Sequence, residues 1–249
     1  MAAPPFTVLV PLYIYPLEKA WEPLFRSALA HPQVRFLAVI NPSNGPGTTP
    51  TPDASYAAAM REMGCIPNIQ PIGYVYCSYG KRPIEDVQKD IDLYRGWNTN
   101  FRMDGVFIDE APSHPDHVEY MASLAQYADS TWQTNLGRRS VNVYNPGVVA
   151  SSAYFDAADY IVTFEQSEEH WNLESIRQSL SLLSPHHRPK SLAIIHSCKP
   201  LTADGLRQLV GQVKTMGLAG VYLTDQLGGG FTQWPEEWNQ FLEAADDGS

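Results

Sequence analysis

The side chains with chemistry to offer in this sequence are carboxylates. Asp109 and Glu110 stand together in the run Met103–Pro112, MDGVFIDEAP, and Glu165 closes a second apolar run, Tyr160–Phe164. Gly105–Ile108 is short, apolar and partly β-branched, the pattern of a strand buried on both faces. Pro112 ends it, and Ser113 is placed to cap a helix over His114–Leu136. A buried parallel strand that delivers acids at its C-terminal end is where a barrel enzyme keeps its chemistry. Strand alternation turns Val106 and Ile108 toward the helices, leaving Gly105, Phe107 and Asp109 toward the axis. Likewise Val162 and Phe164 face outward, leaving Thr163 and Glu165 inward. Two carboxylates leaning into one cleft are the minimum for glycoside hydrolysis, one protonated and its partner ionised. Glu110 can orient or tune either. Paired acids also occur in structural settings, so the surrounding elements decide the matter.

Those elements alternate. Strands are expected at Phe6–Leu12, Val34–Ile40, Ile72–Cys77, Gly105–Ile108, Ser140–Tyr144, Tyr160–Phe164, Leu192–His196 and Gly220–Thr224. Between them lie helical stretches at Glu18–Ala30, Asp53–Gly64, Pro83–Trp97, His114–Leu136, Ser151–Ala157, Glu168–Leu183 and Thr202–Met216, and Trp238–Ala245 closes the chain. Asp53 reads as a cap and Pro83 as a first-turn proline. Strands separated by single helices give a parallel sheet, and eight units in 249 residues give a single (β/α)8 barrel spanning residues 1–249. A doubly wound open sheet competes poorly, because no G-x-G-x-x-G follows the first strand. The Gly228–Gly230 run reads as a flexible loop.

Composition narrows the partners. Against 17 basic residues stand 27 acidic ones, a net charge of −10, which excludes the basic stripe a nucleic acid needs and tolerates a cationic substrate. No run is long and apolar enough to cross a membrane, and Met1–Pro5 is too short for a signal peptide. Cys65, Cys77 and Cys198 are odd in number, lack metal-ligand spacing and sit in or near apolar segments, so buried free thiols are expected. Asn41-Pro42-Ser43 is disqualified as a glycosylation acceptor by its proline. The sequence as it stands fits a reducing, intracellular location, and a secreted or cell-surface one if a leader was removed.

In a barrel, whatever follows the strands shares one mouth. There the sequence delivers Tyr13 and Tyr15, Asn41, Tyr76 with Tyr79 and Lys81, Tyr144 and Asn145, Glu165 and Gln166, His196, and Asp225 with Gln226. Aromatic rings suit the apolar faces of pyranoses, and amides and acids suit their hydroxyls. Each has a plainer reading. The tyrosines can be rim packing, His196 a hydrogen-bonded core residue and Asp225 a turn cap; Asn41 and Asn145, each before proline, can simply shape turns. Trp171, Trp234 and Trp238 can wall the mouth or bury helices.

The segments PLYIYP, NPSNGPG, GYVYCSYGKR, GVFIDEAP, YNPG and TFEQ together resemble the spherulation-specific family 4 proteins, over nearly the whole chain. That resemblance implies a (β/α)8 barrel and the activity of the family's fungal glycoside hydrolases, which cleave α-1,4-linked galactosamine polymers such as galactosaminogalactan, chiefly at N-acetylgalactosamine. It places the family's acidic trio on Asp109, Glu110 and Glu165. The resulting expectation is an endo-acting, two-carboxylate, retaining hydrolase of amino-sugar polysaccharide. Asp109 would be nucleophile or charge stabiliser, Glu165 acid/base, and Glu110 a supporting acid. Tyr13, Tyr15, Asn41, Tyr76, Asn145, His196 and Asp225 would contact substrate. Neither metal nor organic cofactor is expected, and the chain is expected to be a monomer. Two rivals remain: a metal-assisted hydrolase built on Asp109, Glu110, His196 and Asp225, which lacks H-x-H or H-E-x-x-H spacing, and a non-catalytic sugar-binding or developmental structural protein on an inactive barrel.

Overall fold

The computed structural model describes residues 4–199, 202–228 and 230–247; the first three residues and Gly229 of the Gly228–Gly230 run lie outside it. Its eight strands are β1 (Thr7–Leu12), β2 (Arg35–Ile40), β3 (Ile69–Tyr76), β4 (Gly105–Asp109), β5 (Val141–Tyr144), β6 (Tyr160–Ser167), β7 (Ser191–His196) and β8 (Gly220–Leu223). All pair in parallel with their sequence neighbours, and β8 closes on β1. The helices are α1 (Glu22–Ala30), α2 (Ala54–Met63), α3 (Ile84–Trp97), α4 (Val118–Leu136), α5 (Glu168–Trp171), α6 (Glu174–Ser181), α7 (Ala203–Thr215) and α8 (Trp238–Asp246). The chain is a (β/α)8 barrel, with 3-10 turns at Pro115–His117 and Ser152–Asp156 among its connections.

The strands are apolar on both sides because both sides are covered: every residue of β1 is buried. Trp97 and Trp132 anchor α3 and α4 to this core. Trp132 Nε1 donates to the Met103 carbonyl at 3.0 Å, which satisfies its one polar atom. The starts of α2 and α7 follow their side chains. Asp53 accepts from the Tyr56 amide at 3.0 Å and Thr202 from the Gly205 amide at 3.2 Å.

Several expectations are corrected at this level. Ser113 caps nothing: His114 is extended (ψ 144°), as the residue before a proline must be, and Pro115 opens a 3-10 turn before α4 begins at Val118. Pro83 stands at the N-cap of α3 rather than inside its first turn. The helix expected from Glu18 starts at Glu22, after a turn in which Lys19 has φ 65°. The Glu168–Leu183 helix is two, α5 and α6, separated at Asn172–Leu173. Strand β6 runs three residues beyond Phe164, past a register shift between Val162 and Phe164, so Glu165 lies within it. Cys77 and Cys198 are buried, whereas Cys65 follows the end of α2 and is exposed. No helix among the described residues is long and apolar enough to cross a membrane.

Gly73 is fixed by packing. A Cβ on Gly73 of β3 would lie 2.3–2.7 Å from ring atoms of Tyr94, whose hydroxyl is bonded to the Ile40 carbonyl at 2.8 Å. Gly73→Ala should therefore lower stability by about 1–3 kcal/mol, the usual cost of overfilling a packed core. A denaturant midpoint equal to that of the parent would show that the ring is free to move.

Candidate active site

At the C-terminal end of the strands lies a cavity of about 310 Å³ lined by Pro11, Tyr13, Asn41, Asn44, Tyr74, Phe107, Asp109, Asn145, Glu165, Ile194 and Phe231. The alternation that turns Phe107 and Asp109 of β4 inward also turns Tyr74 of β3 inward, since Tyr74 pairs with Phe107. Phe164 points the other way, onto the fully buried Trp171, which leaves Glu165 facing the cavity. The floor is aromatic: Tyr13 meets Tyr74 and Phe231 edge-on at 5.7 and 5.9 Å, and Tyr74 stacks on Phe107 at 6.2 Å.

Over this floor the two carboxylates share one amide. Asn145 Nδ2 donates to Asp109 Oδ1 at 2.8 Å and to Glu165 Oε2 at 2.6 Å. The amide's orientation follows from its other end, where Oδ1 accepts from the Gly147 N–H at 3.1 Å. The backbone around it is equally fixed. Gly147 (φ 66°) returns its carbonyl to the Glu165 N–H at 2.9 Å, while the Asn145 N–H donates to the Ile108 carbonyl at 2.9 Å. The Asn-Pro-Gly turn thus ties β4, β5 and β6 together where the acids stand.

The environment separates the acids from ordinary carboxylates. Burial pushes Asp109 up from its usual range, opposed by hydrogen bonds from the Tyr74 hydroxyl, the Glu110 backbone and Asn145. The Tyr74 bond to Oδ2 is 2.8 Å. Burial also raises Glu165, to about 7; the Asn145 bond opposes the shift and the Asp109 charge adds to it. The same burial, with Asp109 nearby, holds the Tyr13 hydroxyl well above its ordinary value, and Tyr74 is raised likewise. Both phenols therefore remain protonated donors through the neutral range.

The remaining candidates are distributed less compactly. Tyr13, Asn41 and Asn145 line the cavity with Asp109 and Glu165. Glu110 follows Asp109 with left-handed backbone (φ 50°); its carbonyl accepts from the Tyr79 N–H, and its side chain is not part of the cavity wall. Tyr15 is exposed and donates to Asp53 Oδ2 at 3.0 Å. Tyr76 shares the inward face of β3 but lies nearer the rim, where the Arg82 guanidinium covers its ring at 4.2 Å. His196 bonds Ser197 Oγ at 2.8 Å, and burial lowers its pKa. Asp225 accepts from the Glu236 N–H at 3.1 Å and lines a separate small cavity with Cys198 and Phe241. Asp109, Glu110, His196 and Asp225 do not gather, and no three His, Cys, Asp or Glu among the described residues are grouped to hold a metal. Trp234 and Trp238 pack on each other and bond Ala20 and Ser27, away from the cavity.

Sequence reasoning passed over Tyr74, Asn44 and Phe231 as wall residues, and turned Phe107 toward the axis without naming it part of the wall. Period-two alternation contains the signal for Tyr74, since it shares a face with Tyr76 and an inward neighbour in Phe107. Asn44 (φ 49°) and Phe231 (φ 34°) reach the wall through loop conformations that no periodicity encodes.

Comparison with known proteins gives a consistent picture. The family model of spherulation-specific family 4 matches residues 7–245. Spherulin-4 of Physarum polycephalum is 31% identical over 232 residues, which cover 90% of this chain but 65% of spherulin-4, so the chain spans just under two thirds of that relative. Sph3 of Aspergillus clavatus, solved in complex with GalNAc, is 30% identical, with a TM-score of 0.88 and 98% of each chain covered. A family GH18 chitinase from Cycas revoluta, solved with allosamidin, shares the fold at 10% identity and a TM-score of 0.57, covering 97% of this chain and 98% of its own.

Proposed function

The chain belongs to spherulation-specific family 4, and from that premise we propose that it is an endo-acting glycoside hydrolase of α-1,4-linked, (N-acetyl)galactosamine-containing polysaccharide. Its barrel is of the glycosidase kind, and the GalNAc bound to Sph3 supports an amino-sugar substrate. The observation that carries the proposal is the Asn145 amide shared by two carboxylates of different character over an aromatic floor. Because both bonds end on one nitrogen, their lengths of 2.8 and 2.6 Å limit the acceptor oxygens to a separation of about 5.4 Å at most. That favours the roughly 5–5.5 Å spacing of retaining enzymes over the wider gap that leaves room for water between the acids.

In this reading Glu165, neutral up to about pH 7, gives its proton to the glycosidic oxygen as that bond breaks. Asp109, ionised and steadied by Tyr74 and Asn145, attacks the anomeric carbon to form a glycosyl ester. Glu165, now a carboxylate, takes a proton from the incoming water, which displaces Asp109 and restores both groups. Tyr13 and Asn41 contact the sugar, and Glu110 supports Asp109 through the backbone turn while its charge raises the Asp109 pKa. No step calls for a metal or organic cofactor.

The pH dependence follows from the signs. Activity needs Glu165 protonated, so kcat/KM on an unactivated oligosaccharide should fall above about pH 7. It also needs Asp109 ionised, so an acid limb should lie above the ordinary aspartate range. A profile flat from pH 6 to 9 would remove Glu165 as the acid. Binding of oligosaccharide without the appearance of new reducing ends would favour the non-catalytic sugar-binding alternative.

A further inference from the structure

Three consecutive residues after β3, Ser78, Tyr79 and Gly80, have left-handed backbone, with φ of 48°, 54° and 81°. Side chains with a Cβ avoid that region, so Ser78 and Tyr79 are held there against their own preference. The turn is braced from several sides. The Cys77 N–H donates to the Asp109 carbonyl at 3.1 Å, the Tyr79 N–H to the Glu110 carbonyl at 2.7 Å, and the Gly80 N–H to the Cys77 carbonyl at 3.0 Å. Gly80 packs so closely on His117 that a Cβ would lie 2.7 Å from the imidazole. Just beyond, Arg82 is fixed by Asp90 at 2.7 Å.

What this bracing presents is a ring in water: Tyr79 is 58% exposed. Strained backbone costs free energy, and with more than half of the residue's surface in water its packing offsets little of that cost. Such strain persists where the surroundings over-determine it, and it concentrates at sites of function. The ring also stands at the reactive end of the barrel, its turn bonded to the backbone of Asp109 and Glu110.

Resting on the hydrolase reading above, we propose that Tyr79 is a fixed stacking platform for a pyranose of the substrate chain, bound outside the reacting position on the β3–β4 side of the mouth. A pyranose offers one C–H-rich face, which gains by covering an aromatic ring that water otherwise touches. A ring already held in place loses little freedom on binding. The contact should be worth roughly tenfold in affinity. The acids handle one linkage, and a platform outside them would favour chains over single sugars.

The test compares the parent with Tyr79→Ala and Tyr79→Phe on galactosamine oligosaccharides of increasing length and on a one-sugar aryl α-N-acetylgalactosaminide. In Tyr79→Ala, KM should rise about tenfold on the longer chains, with kcat near the parent's, and the ratio should shrink toward one as the chain shortens. Tyr79→Phe, which keeps the ring, should follow the parent. Equal KM at every length, or the same loss at every length, would overturn the platform. Calorimetric titration of the same oligosaccharides into Glu165→Gln protein, with and without Tyr79→Ala, separates this from the hydrolase reading. A parent that releases no product while Tyr79→Ala still loses length-dependent affinity refutes the hydrolase and keeps the platform. Undiminished affinity in Tyr79→Ala removes the platform.

Discussion

Asp109→Asn should leave a folded barrel with kcat reduced at least about 10³-fold, because the substitution keeps shape and removes the attacking charge. The new amide's oxygen can still accept from the Asn145 amide, and its NH2 can donate to the Tyr74 hydroxyl oxygen, so melting temperature and oligosaccharide binding should change little. Glu165→Gln should reduce kcat on unactivated polymer by about 10²–10⁴-fold, the usual worth of a positioned acid. An activated aryl glycoside, whose leaving group needs little protonation, should lose less of its glycosylation rate in that variant. Equal losses on both substrates would move the acid role elsewhere, with Glu110 the nearest alternative. Full activity in Asp109→Asn would sink the mechanism.

Asn145→Ala should be nearly as damaging, although Asn145 exchanges no proton and makes no bond to the sugar in this scheme. Its amide donates to both acids, and each of those bonds favours the ionised form and so lowers the pKa of its acceptor. With the donor gone, two carboxyl groups held close together lose the group between them, and both pKa values must rise. The acid and basic limbs of the kcat/KM profile should therefore both move to higher pH, with kcat lower by roughly 10²-fold from lost orientation. A purely structural role would lower the profile without moving its limbs, and that outcome would count against the bridge. The backbone of Asn145 stays bonded to Ile108 and Ala111 whatever the side chain, so the turn should survive.

The barrel was legible because its signals are local and repeated. Buried parallel strands are apolar throughout, and caps such as Asp53 and Thr202 sit at the helix starts their side chains create. Asp109 and Glu165 were placed toward the axis by period-two alternation alone, and both line the cavity. What escaped depends on geometry that no period carries. Alternation gives Tyr74 and Tyr76 the same face but not their depth, and Arg82 occupies the ring of the shallower one. Asp225 and His196 follow strands as Asp109 does, yet Asp225 turns to the Glu236 amide and His196 to Ser197. The helix expected from His114 is displaced by a proline at 115, which holds His114 extended and opens a 3-10 turn ahead of α4.

The wall of the barrel is not equally knit all the way round. β1 pairs with β2 along its whole length, and β6 with β7 from Ile161 to Ser167, whereas β5 meets β6 at Val143–Tyr160 and Tyr144–Ile161, and β8 meets β1 at Thr7–Gly220. These two thin seams divide the cylinder into a five-stranded sector and a three-stranded one. Asp109 belongs to the first and Glu165 to the second. Amide hydrogens along the two seams should exchange with solvent before those inside either sector, as the sectors part and rejoin without global unfolding. Each such opening would draw the reacting pair apart. The Gly147–Glu165 backbone bond and the Asn145 side chain cross the seam beside the acids, so the groups that set the chemistry also fasten the two sectors.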